Sequence, residues 1–405
     1  MVIWHSVDAQ EAYKTGVNSD LIKTLQVRGT EILSDPIIEL NGGKQIEINF
    51  DALESSSNRF AYIIEHCDAD WKKSELTPIE YLDGFQGMTI DDFANSIATT
   101  QHYTNFNLRI PNDDVKLKVS GNYAVKIYRE NEPDKILVTA CFSVVESLVK
   151  VTGEVTGNTL KDFNKEHQQV NFTLFLQNFA ITYPQTDLRI YVFQNRRRDN
   201  VVTNLTPTSI LRDRLVYDQN RKQIFEAGNE YRRFEFLSNT YNGMGVERIR
   251  FQNPYYHVFM QTDQVRSSRT YQYDQDQDGR FLIRCSKCDD PDTEADYDMV
   301  HFGLNSEPLL GGSVYLLSDI YNNVLDERSK MGYNFDTGQY EKSVLLKQGN
   351  YNYSYLFVPN GQTLAESGLI EGNFYQTENE YAIFVYYRPF GARYDRLISV
   401  TTLRN

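Results

Sequence analysis

The chain has 405 residues, 40% hydrophobic and 24% charged, with a formal net charge of −14. That balance excludes a disordered or membrane-embedded polypeptide, and the acidity argues against general nucleic-acid binding, which needs many Lys and Arg to displace counterions from phosphates. At ~150 residues per domain the length suggests about three domains, and 28 Tyr and 23 Phe beside plentiful Val, Ile and Thr give the composition of sheets.

Residues 1–20 read as a polar lead-in with one helical turn near Asp8–Lys14. Met1–Ser6 lacks the basic segment and apolar core of a signal peptide. Either the chain is cytosolic or the sequence is a mature form. Strands are predicted at Leu21–Arg28, Ile37–Leu40, Gln45–Asp51, Phe60–Asp68, Phe106–Ile110, Gly121–Tyr128 and Ile136–Val145, with turn signals such as Asn41-Gly42-Gly43 between them. Gln45–Phe50 alternates with period two, which predicts one buried face and one wet face. Seven such runs suit an immunoglobulin-like sandwich over residues 1–146.

A second set begins almost without pause at Val149–Val155 and continues at Gln169–Leu176, Leu188–Gln194, Leu215–Asp218, Tyr231–Leu237, Val246–Phe251 and Tyr255–Gln261. A hairpin is predicted from Arg269–Tyr273 and Arg280–Arg284, giving a central sandwich over 147–290. The acidic run Asp289–Asp296 is the best linker candidate. Beyond it, Tyr297–Leu304, Ser313–Leu317, Tyr340–Leu346, Asn350–Val358, Tyr381–Tyr387 and Leu397–Thr402 predict a third sandwich over 291–405. The expected fold is all-β, three immunoglobulin-like sandwiches in series. No apolar run approaches the ~20 residues of a transmembrane helix.

Chemistry is sparse. The chain contains no nucleophile elbow, phosphate loop, dinucleotide fingerprint or His-Glu-x-x-His, and its six histidines are scattered. Asp68 and Asp70 lie two apart before Trp71, which suits a carboxylate pair for glycoside cleavage or, more simply, a turn whose side chains hold backbone N–H groups. Asn112-Asp113-Asp114 after Pro111 invites the same two readings. Asp274, Asp276 and Asp278, followed by Gly279, match the first half of a calcium loop, but Cys285 stands where the closing acid belongs. An Asp-Gly hairpin needs no metal, so calcium stays open as the one cofactor in view. Cys285 and Cys288 form a CxxC without the second pair or well-spaced His that completes a zinc set, which favours spectator thiols, then a local disulfide, over zinc. Cys67 and Cys141 are either buried thiols or a disulfide. Arg196-Arg197-Arg198, the only tight basic run, reads as a solvated turn after a strand.

Lys330–Tyr333, Thr337–Glu341 and Leu346–Tyr353 resemble the strand order of glycogen-binding-type carbohydrate modules, although no Trp stands in the preceding turn. A secreted or periplasmic carbohydrate-binding sandwich is therefore the alternative reading.

A more specific resemblance rests on His66-Cys67-Asp68-Ala69-Asp70-Trp71, Glu80–Gln86, Pro111–Asp114, Ser120–Tyr123 and Glu132–Lys135, with further agreement at Gly228–Arg232, Pro254–Val258, Glu294–Tyr297, Leu346–Tyr353 and Glu371–Asn379. These segments resemble the type IX secretion system plug proteins. The resemblance implies a non-enzymatic periplasmic subunit, associated with the outer membrane. It would dock on the periplasmic mouth of a large outer-membrane β-barrel translocon and close the pore while no cargo is in transit. No catalytic residues carry over. Loops around Asp68, Asp70 and Trp71, around Tyr81 and Phe85, and around Asn112, Asp113 and Asp114 are the expected partner contacts, with bracing of the sandwich as the competing role.

Overall fold

A computed structural model describes residues 11–53 and 59–405. It is nearly all β, as the composition requires. The first sandwich packs two sheets face to face. One runs, in order, Gly16–Val17, Ile136–Val145, Gly121–Arg129, Phe60–Cys67 and Met88–Thr89, with Ile37–Glu39 added parallel to Ile136–Val145. The other runs Ile22–Gly29, Ile46–Ala52, Thr104–Ile110 and Phe93–Asn95. Alternation sends Ile46, Ile48 and Phe50 into the core. There Phe50 stacks on Phe106 at 5.4 Å and Phe60 meets Phe106 edge-on at 4.8 Å. Each such buried side chain contributes about 1.5–3 kcal/mol of transfer free energy.

The second and third cores depart from a serial order. Lys150–Thr156, His167–Phe175, Arg214–Tyr217 and Ser209–Ile210 form one layer of the second sandwich. Its facing layer is Leu188–Gln194 paired with Glu380–Tyr387 and Arg396–Arg404 from the far end of the chain. Val170, Phe172 and Leu174 therefore share a core with Ile383, Val385 and Ile398. The third sandwich is the excursion between these two parts. Arg232–Phe236, Gly349–Pro359, Phe281–Ile283 and Gly312–Leu317 face Val246–Gln252, Tyr255–Met260, Tyr297–Asn305, Gln339–Lys347 and Gly332–Asn334. Strand pairing crosses the expected boundary at 290/291. Arg232–Phe236 and Phe281–Ile283, placed before it, both pair with Gly349–Pro359 beyond it.

Three local expectations also change. Asp8–Gln10 lie outside the described residues, and 11–14 carry no helix. Arg269–Tyr273 is not a strand, so the predicted hairpin is absent; Phe281–Ile283 pairs with Gly349–Pro359 instead. The acidic linker candidate contains a helical turn, Pro291–Glu294, capped by Asp290. This turn is wedged against the first sandwich, where Ile97 N–H donates to Thr293 O at 2.9 Å and Tyr103 Oη donates to Ala295 O at 2.8 Å.

Candidate functional site

The His66–Trp71 block closes strand Phe60–Cys67 and forms a joint between sandwiches. His66 is buried, with Nε2 3.1 Å from the Ser120 carbonyl and Nδ1 2.8 Å from Ser74 Oγ. The carbonyl can only accept, so Nε2 carries the proton and Nδ1 accepts from Ser74. Burial pulls the imidazole pKa down to about 4. An unfolded imidazole titrates near 6.5, so between these values the unfolded chain binds more protons. His66 therefore removes stability as the pH falls through that window. Imidazole shifts measured by NMR on the native protein should show one histidine neutral down to about pH 4.

Asp68 and Asp395 tie the two segments together: Asp395 N–H donates to Asp68 Oδ1 at 3.0 Å across 327 residues, and Ala69 N–H donates to Asp395 Oδ2 at 2.9 Å. Arg388 reaches Asp68 at 3.1 Å and Arg189 reaches Asp395 at 2.7 Å. Trp71 sits at φ 64° with the Arg198 guanidinium 5.0 Å over its ring. Only Asp70 of this block is exposed, paired with Lys72. As an acid pair for glycoside cleavage, Asp68 and Asp70 fail on geometry, because Asp68 is committed to Arg388 and the Asp395 backbone.

The other candidates divide in the same way. Tyr81 is buried and donates to Ile64 O at 3.0 Å, a bracing role. Phe85 is 76% exposed. Its neighbour Gly84 has φ 134°, and a Cβ there would lie 2.0 Å from Asp114 O, so only glycine lets the Phe85 loop lie against the Asn112 turn. Asn112 is structural: its Oδ1 accepts from Asp114 N and Val115 N at 3.0 and 2.9 Å. Asp113 and Asp114 project into solvent.

The three aspartates of the calcium expectation, Asp274, Asp276 and Asp278, each have partners of their own. Asp274 pairs with Arg233 at 2.5 Å. Asp276 accepts from the backbone of Asp278 at 2.8 Å and from Tyr231 N–H, and Asp278 lies 3.6 Å from Arg280. The three carboxylates serve different partners, and among the described residues no group of three acidic, His or Cys side chains is gathered for a metal. Cys285 and Cys288 are disulfide-bonded, whereas Cys67 and Cys141 are buried free thiols. Tyr351 and Tyr353, in the segment resembling a sugar-binding module, are buried in the third core rather than offered as stacking platforms.

Sequence reasoning missed two features. The Arg196–Arg198 triplet is not a solvated turn, since Arg196 pairs with Asp319 at 2.5 Å and Arg197 with Asp199 at 2.6 Å. The second is the turn Arg388-Pro389-Phe390-Gly391-Ala392-Arg393, which holds Phe390 wholly in solvent at 105% exposure. A Pro-Phe-Gly turn between two arginines was the available signal, because a turn places its aromatic where no core can cover it. Arg393 pairs with Glu80 at 2.6 Å, which brings this turn beside exposed Ile79. The two segments meet where the first and second sandwiches join, and both carry exposed apolar side chains, Ile79 and Phe390.

Among the described residues no helix is long and apolar enough to cross a membrane. Residues 22–146 match the family described as type 9 secretion system plug protein, first domain. No curated protein matches the chain. The crystal structure of a hypothetical protein from Parabacteroides merdae is similar over 98% of this chain and 100% of its own, with 63% identity and a TM-score of 0.97. The matched segment covers the first sandwich, and by that domain the chain belongs to the type IX secretion system plug protein family.

Proposed function

We propose that the chain is a non-enzymatic accessory subunit of type IX secretion. In this reading it sits in the periplasm against the outer membrane, docks on the translocon β-barrel and fills its pore when no cargo passes. The observation that carries the reading is the clamping of the three sandwiches to one another by ion pairs at their junctions, Asp51 with Lys347, Asp68 with Arg388, and Arg280 with both Asp35 and Glu380. A stopper has to resist deformation. Ion pairs that would be costly to break inside the molecule supply that resistance.

The docking face in this proposal is the rim of Ile79, Phe85 and Phe390, edged by Asp70, Asp113 and Asp114. Exposed apolar side chains with a polar border are the pattern of protein contact sites, and a durable dock buries at least ~1,000 Å². The test is conductance of the purified barrel in planar bilayers. Adding the protein is expected to lower it. Phe390→Ser combined with Phe85→Ser should weaken the block at least ~10-fold, the order expected for buried aromatic anchors, with the melting temperature unchanged. Unaltered conductance at saturating protein would sink the proposal, while a block untouched by the double variant would move the docking face elsewhere.

A further inference from the structure

Between the three sandwiches lies a cavity of about 180 Å³, lined among others by Trp71, Phe193 and Phe384 and by Arg28, Arg196, Arg198 and Arg280. Three of these arginines already hold carboxylates: Arg28 pairs with Glu47, Arg196 with Asp319, and Arg280 with Asp35 and Glu380. Arg198 differs. It donates to Tyr13 O at 3.1 Å, stacks over Trp71 and neighbours the Cys141 thiol. Among the described residues no carboxylate pairs with it. Arg198 is half-buried, and a guanidinium partly removed from water gains from a counter-charge.

The cavity lining includes further such groups. The Nε atoms of Arg28 and Arg280 and the Oδ1 of Asn323 are buried without a hydrogen-bond partner, and Arg196 Nε has only Asp35 at 3.8 Å. Arg280 and Asn323 are themselves 7% and 5% exposed. Buried polar atoms normally have partners, and a cluster of orphans around one cavity marks a place where something else supplies them. The shape adds a second constraint. A cavity of ~150 Å³ lined by apolar side chains accepts benzene, so this one has room for a single ring and a small polar group.

We infer that this cavity is a binding site for a small organic carboxylate with a one-ring or branched apolar body. The carboxylate would pair with Arg198 and the body would rest against Trp71, Phe193 and Phe384. Guanidinium meets carboxylate through two parallel N–H donors, which a neutral amide cannot match. Because the walls come from all three sandwiches, an occupant would tighten their junction.

Phenylacetate, phenylacetamide and acetate separate the contributions on the full-length protein by isothermal titration and thermal melting. Phenylacetate is expected to bind one to one with a Kd tighter than about 1 mM and to raise the melting temperature as mass action requires. Phenylacetamide, lacking the charge, and acetate, lacking the ring, should each bind at least ~10-fold more weakly. Arg198→Gln should lose at least ~10-fold for phenylacetate alone, and Arg212→Gln, on an exposed arginine away from the cavity, should lose nothing. If Arg198→Gln does not fold, Ala382→Leu fills the cavity with Arg198 intact and should abolish binding. No binding by phenylacetate, equal binding by its amide, or binding that survives Ala382→Leu would each overturn the assignment.

Discussion

Asp51→Ala and Lys347→Ala are each expected to lower the unfolding free energy by about 3–5 kcal/mol, the usual cost of leaving one member of a buried ion pair alone. The pair joins the first sandwich to the third: Lys347 Nζ lies 2.7 Å from Asp51 Oδ2, with the two side chains 1% and 0% exposed. Asp51 also accepts from Tyr297 Oη at 2.6 Å and from Asn105 Nδ2 at 2.8 Å, so each of its oxygens has a donor. Lys347 donates to Asp292 O at 2.7 Å and sits 4.1 Å over the Tyr103 ring. Removing either partner strands the other charge where water cannot reach it. Asp51→Leu with Lys347→Met should recover much of the loss, since an apolar pair of similar volume is often neutral. Recovery should fall short because Tyr297, Asn105 and the Asp292 carbonyl lose their partner. Denaturant midpoints at constant slope measure this. A single variant unfolding at the wild-type midpoint would mean that the two sandwiches do not hold one another.

Asp51 also shows where the sequence was readable and where it was not. The alternation through Gln45–Phe50 correctly puts Ile46, Ile48 and Phe50 in a core. The opposite face was expected to be wet, and Glu47 is indeed paired near solvent with Arg28 and Arg109. Asn49 and Asp51 on that same face are buried, because a strand from nearly 300 residues later covers them. Local pattern reports that a face is polar; it carries no record of a distant sandwich arriving to neutralise it. The same limit explains the domain order. Strands Glu380–Tyr387 and Arg396–Arg404 were legible as strands, yet nothing in their residues says that they pair with Leu188–Gln194. Of the predicted contact residues, Asp68, Tyr81 and Asn112 turned inward for one reason. Each has short-range or cross-sandwich partners that a solvent-facing loop residue would lack. Phe85, Asp70, Asp113 and Asp114 stayed outside.

Acid should open the third sandwich at Glu371. This carboxylate is wholly buried, and burial alone would raise its pKa. Arg232 and Arg266 overcome that and hold it down at about 2. Oε2 accepts from Arg232 Nη2 at 2.9 Å and Arg266 Nε at 2.7 Å, while Oε1 accepts from Arg232 Nε at 3.0 Å and Tyr355 N at 2.9 Å. An unfolded glutamate titrates near 4.5. Below that value the unfolded chain takes up a proton that the folded one refuses, so the stabilisation is complete above about pH 4.5 and drains away as the pH falls toward about 2. A shift of this size corresponds to about 3 kcal/mol. Glu371→Gln removes the charge at every pH and leaves Arg232 and Arg266 facing an amide. The stability gap between wild type and variant should therefore be at least about 3 kcal/mol at neutral pH and narrow steadily in acid. Subtracting the variant's curve cancels the other carboxylates, whose titration is common to both proteins. A gap that stayed constant from neutral pH down to pH 2.5 would mean that the arginines grip Glu371 by shape and packing, with no contribution from its charge.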